Sequence, residues 1–448
     1  MKKLSVIAVA VAACMLFAIP AMAVDVNFSG AYRARGYYND NPDLDDNMGA
    51  SQAFIDQRLR VKMEFKVTDT LSVIGRFDAI EKRWGDADSG GTVGSHNIDF
   101  DHAYMKATFD MFDLYVGRMG GGVFGLKFGD HPGYFEHDTI KLVSKMDPLT
   151  LIALYQKRAE NDQSYTYPQT ADEDMDAYFL GGIYKAEGLE AGFLGGYYRY
   201  RNMSDVSNTD LFPVGLPTVN YTQDYFTWEP YFKANLGPLA LQGEAIWFTG
   251  EYRKYDDVAT QDLDFDALTY NLEGSTDLGP AKVGLGYAFA SGDYNGDDSE
   301  YQAALPCYSW EPLLILTSWY GGLESGNFNF RNAQGPNSKV VGLVDPGTTP
   351  NYANLGFKIW YITGSLSPME GVTLSAIVAD ATADETASGW DDDVGREYDV
   401  TAKVKLMDNL TYMATIAWLD AGDLYKLGDA DATVDDTYSF FHKLEVKF

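Results

Sequence analysis

Cysteine is nearly missing. The 448 residues include two, Cys14 and Cys307, too few for a disulfide-stapled fold or a thiolate metal cluster. Histidine is scarce too: His96, His102, His131, His137 and His442 are all there are, and no pair has the spacing of a zinc-binding helix. No G-x-S-x-G element occurs, which removes the commonest serine-hydrolase signature. Past the N-terminus no stretch is apolar over the ~20 residues a membrane helix needs. Positive charge is short, with 34 Lys and Arg against 65 Asp and Glu and a formal charge of -31. Such a balance argues against nucleic acid as a partner.

What the chain has in quantity is tyrosine (31), glycine (44) and alternation. Between Gln52 and Val67, Ile55, Leu59, Val61, Met63, Phe65 and Val67 share one parity. Asp56, Arg58, Arg60, Lys62, Glu64 and Lys66 share the other. A period of two is the signature of a strand with different surroundings on its two faces. Near Val24–Tyr38 the pattern recurs, with Phe28, Tyr32 and Tyr38 opposite Arg33 and Arg35. If the apolar parity faces lipid, slipping the register by one would set several Arg and Lys in hydrocarbon, at roughly 2–4 kcal/mol each near the midplane.

Met1–Ala23 reads as a secretory signal peptide. Lys2 and Lys3 precede an apolar stretch, and Ala21-Met22-Ala23 gives a small-x-small cleavage site. A lipobox-like Val11-Ala12-Ala13-Cys14 competes, but would leave an apolar Met15–Ala23 tail on the mature chain. Cleavage after Ala23 leaves Cys307 as the lone cysteine and removes two lysines, making the mature chain still more acidic.

Residues 24–448 then form one domain of about eighteen strands, or sixteen if the weak strands three, six and seven fail. Long segments follow odd strands and short turns follow even ones. Examples are Thr68-Asp69-Thr70, Glu187-Gly188, Asn235-Leu236-Gly237-Pro238, Asp277-Leu278-Gly279-Pro280 and Asp408-Asn409. A soluble sandwich has no reason to alternate this way. The expected fold is an all-β transmembrane antiparallel up-and-down barrel, with short turns in the periplasm, long loops outside and both termini periplasmic. The longest loop, 291–353, holds the apolar patch Leu313–Leu316 and Trp319-Tyr320. This loop and the compact Gly120–Gly125 are the candidates to fold inward, because a bare barrel of this size encloses a wide aqueous channel.

The last strand, Asp436–Phe448, has Tyr438, Phe440, Leu444, Val446 and Phe448 on one parity. It resembles the closing strand of Gram-negative outer-membrane barrels, and that resemblance implies reading of Phe448 by the barrel-assembly machinery. Three more stretches, Asp113–Arg118, Gly284–Asp293 and Glu397-Tyr398-Asp399 with Asp408–Leu410 and Leu419–Asp423, resemble the alginate-export-type and delta-proteobacterial porins. The resemblance implies an eighteen-stranded diffusion channel in the outer membrane. Its partners would be membrane lipid and lipopolysaccharide, small hydrophilic solutes and ions; a homotrimer is one assembly the reading allows. The alginate-export channel itself is richer in luminal arginine than this chain.

On parity, Arg33, Arg35, Arg58, Arg60, Lys62, Arg76, Arg199, Arg201, Lys403 and Lys405 are expected in the lumen. Glu64, Asp56, Asp78, Glu229, Glu244, Glu397 and Asp399 are the expected luminal anions. Arg118 and Arg158 join the pore-lining set although each shares its parity with apolar neighbours. Opposed fixed charges across a narrow opening set ion preference; the plainer reading is that they are salt bridges filling a wall. Asp293, Asn295, Asp297 and Glu300 alternate oxygen ligands like part of an EF-hand loop, against the plainer reading of a solvated acidic loop. No cofactor is expected. An enzyme is not the expected reading, and a barrel hydrolase would use His102 as base; a non-conducting adhesin is the other alternative.

Overall fold

The computed structural model describes residues 24–42, 44, 51–85, 98–122, 124–129, 136–160, 174–204, 220–255, 261–293, 299–304, 310–317, 333–334, 340–341 and 355–448. The proposed leader, Met1–Ala23, lies outside them, as do Trp319 and Tyr320.

Eighteen long strands follow one another: β1 (Asp25–Asp40), β2 (Gln52–Thr68), β3 (Leu71–Arg83), β4 (Ile98–Thr108), β5 (Asp113–Gly120), β6 (Glu136–Met146), β7 (Leu149–Ala159), β8 (Met175–Ala186), β9 (Leu189–Ser204), β10 (Asn220–Leu236), β11 (Leu239–Tyr255), β12 (Leu263–Leu278), β13 (Ala281–Ala290), β14 (Phe357–Met369), β15 (Val372–Thr382), β16 (Asp393–Met407), β17 (Leu410–Ala421) and β18 (Thr437–Lys447). Each pairs antiparallel with the next, and β18 pairs back onto β1 from Ala31↔Lys447 to Asp40↔Tyr438. The barrel is closed, so it has no free sheet edge. At the seam the Gly30 and Phe448 amides each donate to the other's carbonyl, at 2.8 and 3.0 Å. The weak strands three, six and seven all form.

Even-to-odd connections are tight. In Leu236–Leu239 and Leu278–Ala281, a Gly-Pro pair closes the hairpin. Gly237 and Gly279 adopt φ of 64° and 67°, which glycine takes without a Cβ clash. The other end carries the long connections. There Asp435 donates its amide to the Leu44 carbonyl at 3.0 Å, and Asn41 Nδ2 donates to the Asp436 carbonyl at 2.9 Å, joining the first and last long loops. The long connection after β13 is not plain loop: Glu300–Tyr301 adds in parallel to the start of β12, and Ala333–Gln334 pairs with Val340–Val341.

The two parities meet different surroundings. Leu180 (70 %), Phe28 (63 %), Ile362 (62 %) and Val400 (60 %) are exposed on the outer face, which only a hydrocarbon solvent explains. Aromatic residues ring that face toward the long loops, among them Tyr38, Tyr178, Trp247, Trp360, Trp418 and Tyr438. Glu397, Gln156 and Thr269 are fully buried on the inner face.

Candidate functional site

The inner wall has two unlike arcs. From β8 to β15 it is largely apolar, with Phe179, Leu194, Ile246, Phe248, Ala267, Ala288, Phe357, Ile359 and Ala379 all buried. Apolar side chains inside a barrel need cover, and two loops supply it. The loop after β5 sends Phe124 against Tyr231 at 5.2 Å and Phe128 against Trp310 at 5.1 Å, both edge to face. The insertion after β13 buries Leu313, Ile315 and Leu316.

Both loops are held by carboxylates of the wall. Glu397 of β16 accepts the amides of Ile315 (2.6 Å) and Leu316 (2.8 Å), while Asp399 accepts that of Leu314 (2.9 Å). Glu244 of β11 accepts the amides of Leu126 (2.9 Å) and Gly129 (2.6 Å). Consecutive N–H groups converging on one anion form a strong, directional anchor. Lys233 adds a bond to the Gly125 carbonyl at 3.2 Å.

Among the described residues, no loop covers the wall from the short-turn half of β16 through β18 to β4, and it is charged. Register places Arg33, Arg35, Arg58, Arg60, Lys62, Glu64, Arg76 and Asp78 on its inner face. Arg35 makes a two-point bond to Asp56, Arg60 a two-point bond to Asp78, and Arg76 bonds Asp101 and Glu136. Arg33 and Arg58 share Glu81, at 3.1 and 3.3 Å. The plainer reading therefore describes much of this arginine group: planar guanidinium forks tied to wall carboxylates. Lys62 forms no ion pair among the described residues. In the short-turn half of the arc, Lys62, Lys66, Lys403, Lys405, Lys443 and Lys447 face inward beside Asp25, Glu64 and Glu445.

A cleft of about 410 Å³ lies between this wall and the inserted loop. Arg33, Arg35 and Lys443 line it with Glu311, Asp399, Tyr37, Phe441 and Leu313–Leu314. Phe54, Tyr37 and Phe441 form an aromatic row across β2, β1 and β18, at 4.8 and 5.0 Å, with Arg83 over Phe54 at 4.1 Å. Arg158 is luminal too, 4.9 Å over the Tyr198 ring.

Three expected luminal residues face outward instead. Arg118 shares its face with Leu114 and Val116, and Arg199 and Arg201 share theirs with Phe193 and Tyr197. They lie at the long-loop ends of β5 and β9, above the apolar band, where an outward charge costs about 0–1 kcal/mol. Each meets an acid: Arg118 with Asp138 at 4.0 Å, Arg199 with Asp176 at 3.7 Å, Arg201 with Asp224 at 2.7 Å. Outward tyrosines cap two of these acids, Tyr155 on Asp176 at 2.8 Å and Tyr197 on Asp224 at 2.7 Å.

Parity reasoning passed over Glu81 and Asp101, because register shifts beside both strands break the period of two; Ile80 there has φ of 54°. Glu311 sits on a loop and carries no strand signal. His102 is luminal, with Nε2 3.8 Å from Glu136. Of the calcium candidates, Asn295 and Asp297 lie outside the described residues. Asp293 accepts the Gln302 amide at 3.2 Å and Glu300 accepts Gln302 Nε2 at 2.9 Å. Among the described residues no group of three or more His, Cys, Asp or Glu is placed to hold a metal.

A closed eighteen-stranded antiparallel barrel with an apolar outer face and a charged inner wall is the fold of outer-membrane β-barrels. No family model and no curated protein matches the chain. It is similar to the crystal structure of Pseudomonas aeruginosa OccK8 (OprE), at 13 % identity over 95 % of this chain and 98 % of that one, with TM-score 0.53. Acinetobacter baumannii OccAB1 (14 % identity, 95 % and 97 % covered, TM-score 0.53) and Pseudomonas aeruginosa OpdO (14 %, 95 % and 97 %, 0.52) are similar in the same way. At these identities the likeness is one of fold.

Proposed function

We propose that the chain is an outer-membrane porin through which ions and small hydrophilic solutes diffuse passively. The observation that carries this reading is the division of the inner wall: loops cover its apolar arc, and among the described residues none covers the charged arc from the short-turn half of β16 through β18 to β4. A polar path beside low-dielectric walls focuses the field of its fixed charges on whatever passes. Arg33, Arg35, Arg58, Arg60, Lys62, Glu64, Arg76, Asp78, Glu397 and Asp399 act on this path in two ways. Glu397 and Asp399 fix the narrowing loop, and the others set the potential along the wall. Arg158 supports the loop side of the lumen rather than the path.

The same reading has Met1–Ala23 removed on export, both termini in the periplasm, and lipid and lipopolysaccharide around the long-loop rim. Phe448 is the signal read by the assembly machinery, and a homotrimer is the assembly to look for. The resemblance to alginate-export-type porins has no match among family models or curated proteins, and no polysaccharide cargo is proposed. Liposome swelling tests the reading. Vesicles holding the folded chain should swell in small sugars and amino acids and not in larger oligosaccharides; no swelling in any solute contradicts it.

A further inference from the structure

At the short-turn mouth, the luminal face between β16 and β18 carries ammonium groups and no guanidinium. Lys403 of β16 and Lys443 of β18 stand in one cross-strand row, with Met413 of β17 between them. Two strand spacings part their backbones, about 9–10 Å, a gap that two lysine stems can close around one ion. With Lys447, Asn409, Thr411 and Glu445 they line a cleft of about 380 Å³. Lys403 is exposed there and forms no ion pair among the described residues. Asp408, on the rim, is occupied by Lys405 at 2.9 Å.

We infer that this cleft is a transient binding station for the phosphate group of a small solute. The inference rests on the channel reading. A planar carboxylate is best met by the planar fork of arginine, and the arginines of the neighbouring strands already hold wall carboxylates. Lysine is a point charge with freely directed donors, which suits a tetrahedral dianion approached from several sides. The Thr411 hydroxyl and the Asn409 amide add neutral donors. Glu445, 3.8 Å from Lys443 and 3.5 Å from Lys447, offsets part of the positive charge. That keeps the station weak, as conduction requires, because a solute must also leave.

The test is equilibrium dialysis of the folded, detergent-solubilised chain with labelled inorganic phosphate, with succinate as comparator and bilayer recording of the same preparation. Saturable phosphate binding is expected, weakened about tenfold in Lys403→Gln/Lys443→Gln, tightened in Glu445→Gln, and several-fold weaker for succinate. Absence of saturable binding, binding unmoved by the double variant, or equal binding of succinate overturns the inference. Heat-modifiable gel mobility shows that each variant has closed its barrel. Current without phosphate binding sinks the station and leaves the pore; phosphate binding without current sinks the pore reading and the station with it, leaving only a phosphate-binding cleft.

Discussion

Phe128, on the loop after β5, and Trp310, on the insertion after β13, meet edge to face with ring centroids 5.1 Å apart and planes at 84°. Trp310 also stacks on Phe357 of the wall at 6.1 Å. Two loops from separate strands thus pack as one body against the apolar arc. Trp310→Ala removes the shared ring, a loss of about 3–5 kcal/mol for a buried tryptophan. The expected result is a larger single-channel conductance from a barrel that still closes. Unchanged conductance would mean that these loops do not narrow the path.

The carboxylate anchors give a second prediction. In Glu397→Gln one of the two amides, Ile315 or Leu316, faces an NH₂ instead of an acceptor, and a buried donor left unmet costs about 1–3 kcal/mol. Proteolytic cleavage within 310–317 should speed up and the current should become noisier. Glu244→Gln should do the same for the loop holding Leu126 and Gly129. A variant as protease-resistant as the parent would show that the insertion is held by its apolar contacts alone.

Face decides which arginines govern selectivity. Arg199→Gln and Arg201→Gln alter charges outside the wall, paired with Asp176 and Asp224, and screened over the ~10 Å Debye length at 0.1 M salt. They should leave the reversal potential unmoved. Arg33→Gln with Lys443→Gln removes two cations lining the 410 Å³ cleft and should shift preference toward cations. The opposite ranking in a salt gradient would invert the assignment of faces.

The seam makes a fourth prediction. A Cβ at Gly36 would stand 2.2 Å from His442 Nε2, on the outer face where β1 meets β18. Gly36→Ala forces that ring aside at a cost of about 1–3 kcal/mol. The urea midpoint for barrel opening should fall, and His442→Ala should restore part of the loss. Additive losses in the double variant would show that the two residues do not meet.

Much of the fold is legible in the sequence because lipid and lumen impose opposite chemistry on adjacent residues. The Ile55/Arg58 alternation in β2 and the Gly237-Pro238 and Gly279-Pro280 turns place strands to within a few residues. Where parity misleads, the cause is local. Arg199 and Arg201 lie beyond the apolar band, so an outward charge is cheap there and the rule loses force. Glu81 and Asp101 sit beside register shifts. The loop anchors have no local signature, since Glu397 and Ile315 are 82 residues apart. One hint of them exists: Ile359–Ile362, Ile-Trp-Tyr-Ile, carries no charge on either parity, as expected of a strand with lipid behind it and a loop in front.

The most direct test is a planar-bilayer recording of the purified chain across a salt gradient. Stable unitary current steps are expected, with a reversal potential on the anion side, because Lys62, Lys403 and Lys443 stand along the charged inner wall. A silent bilayer, or a reversal potential on the cation side, would contradict this.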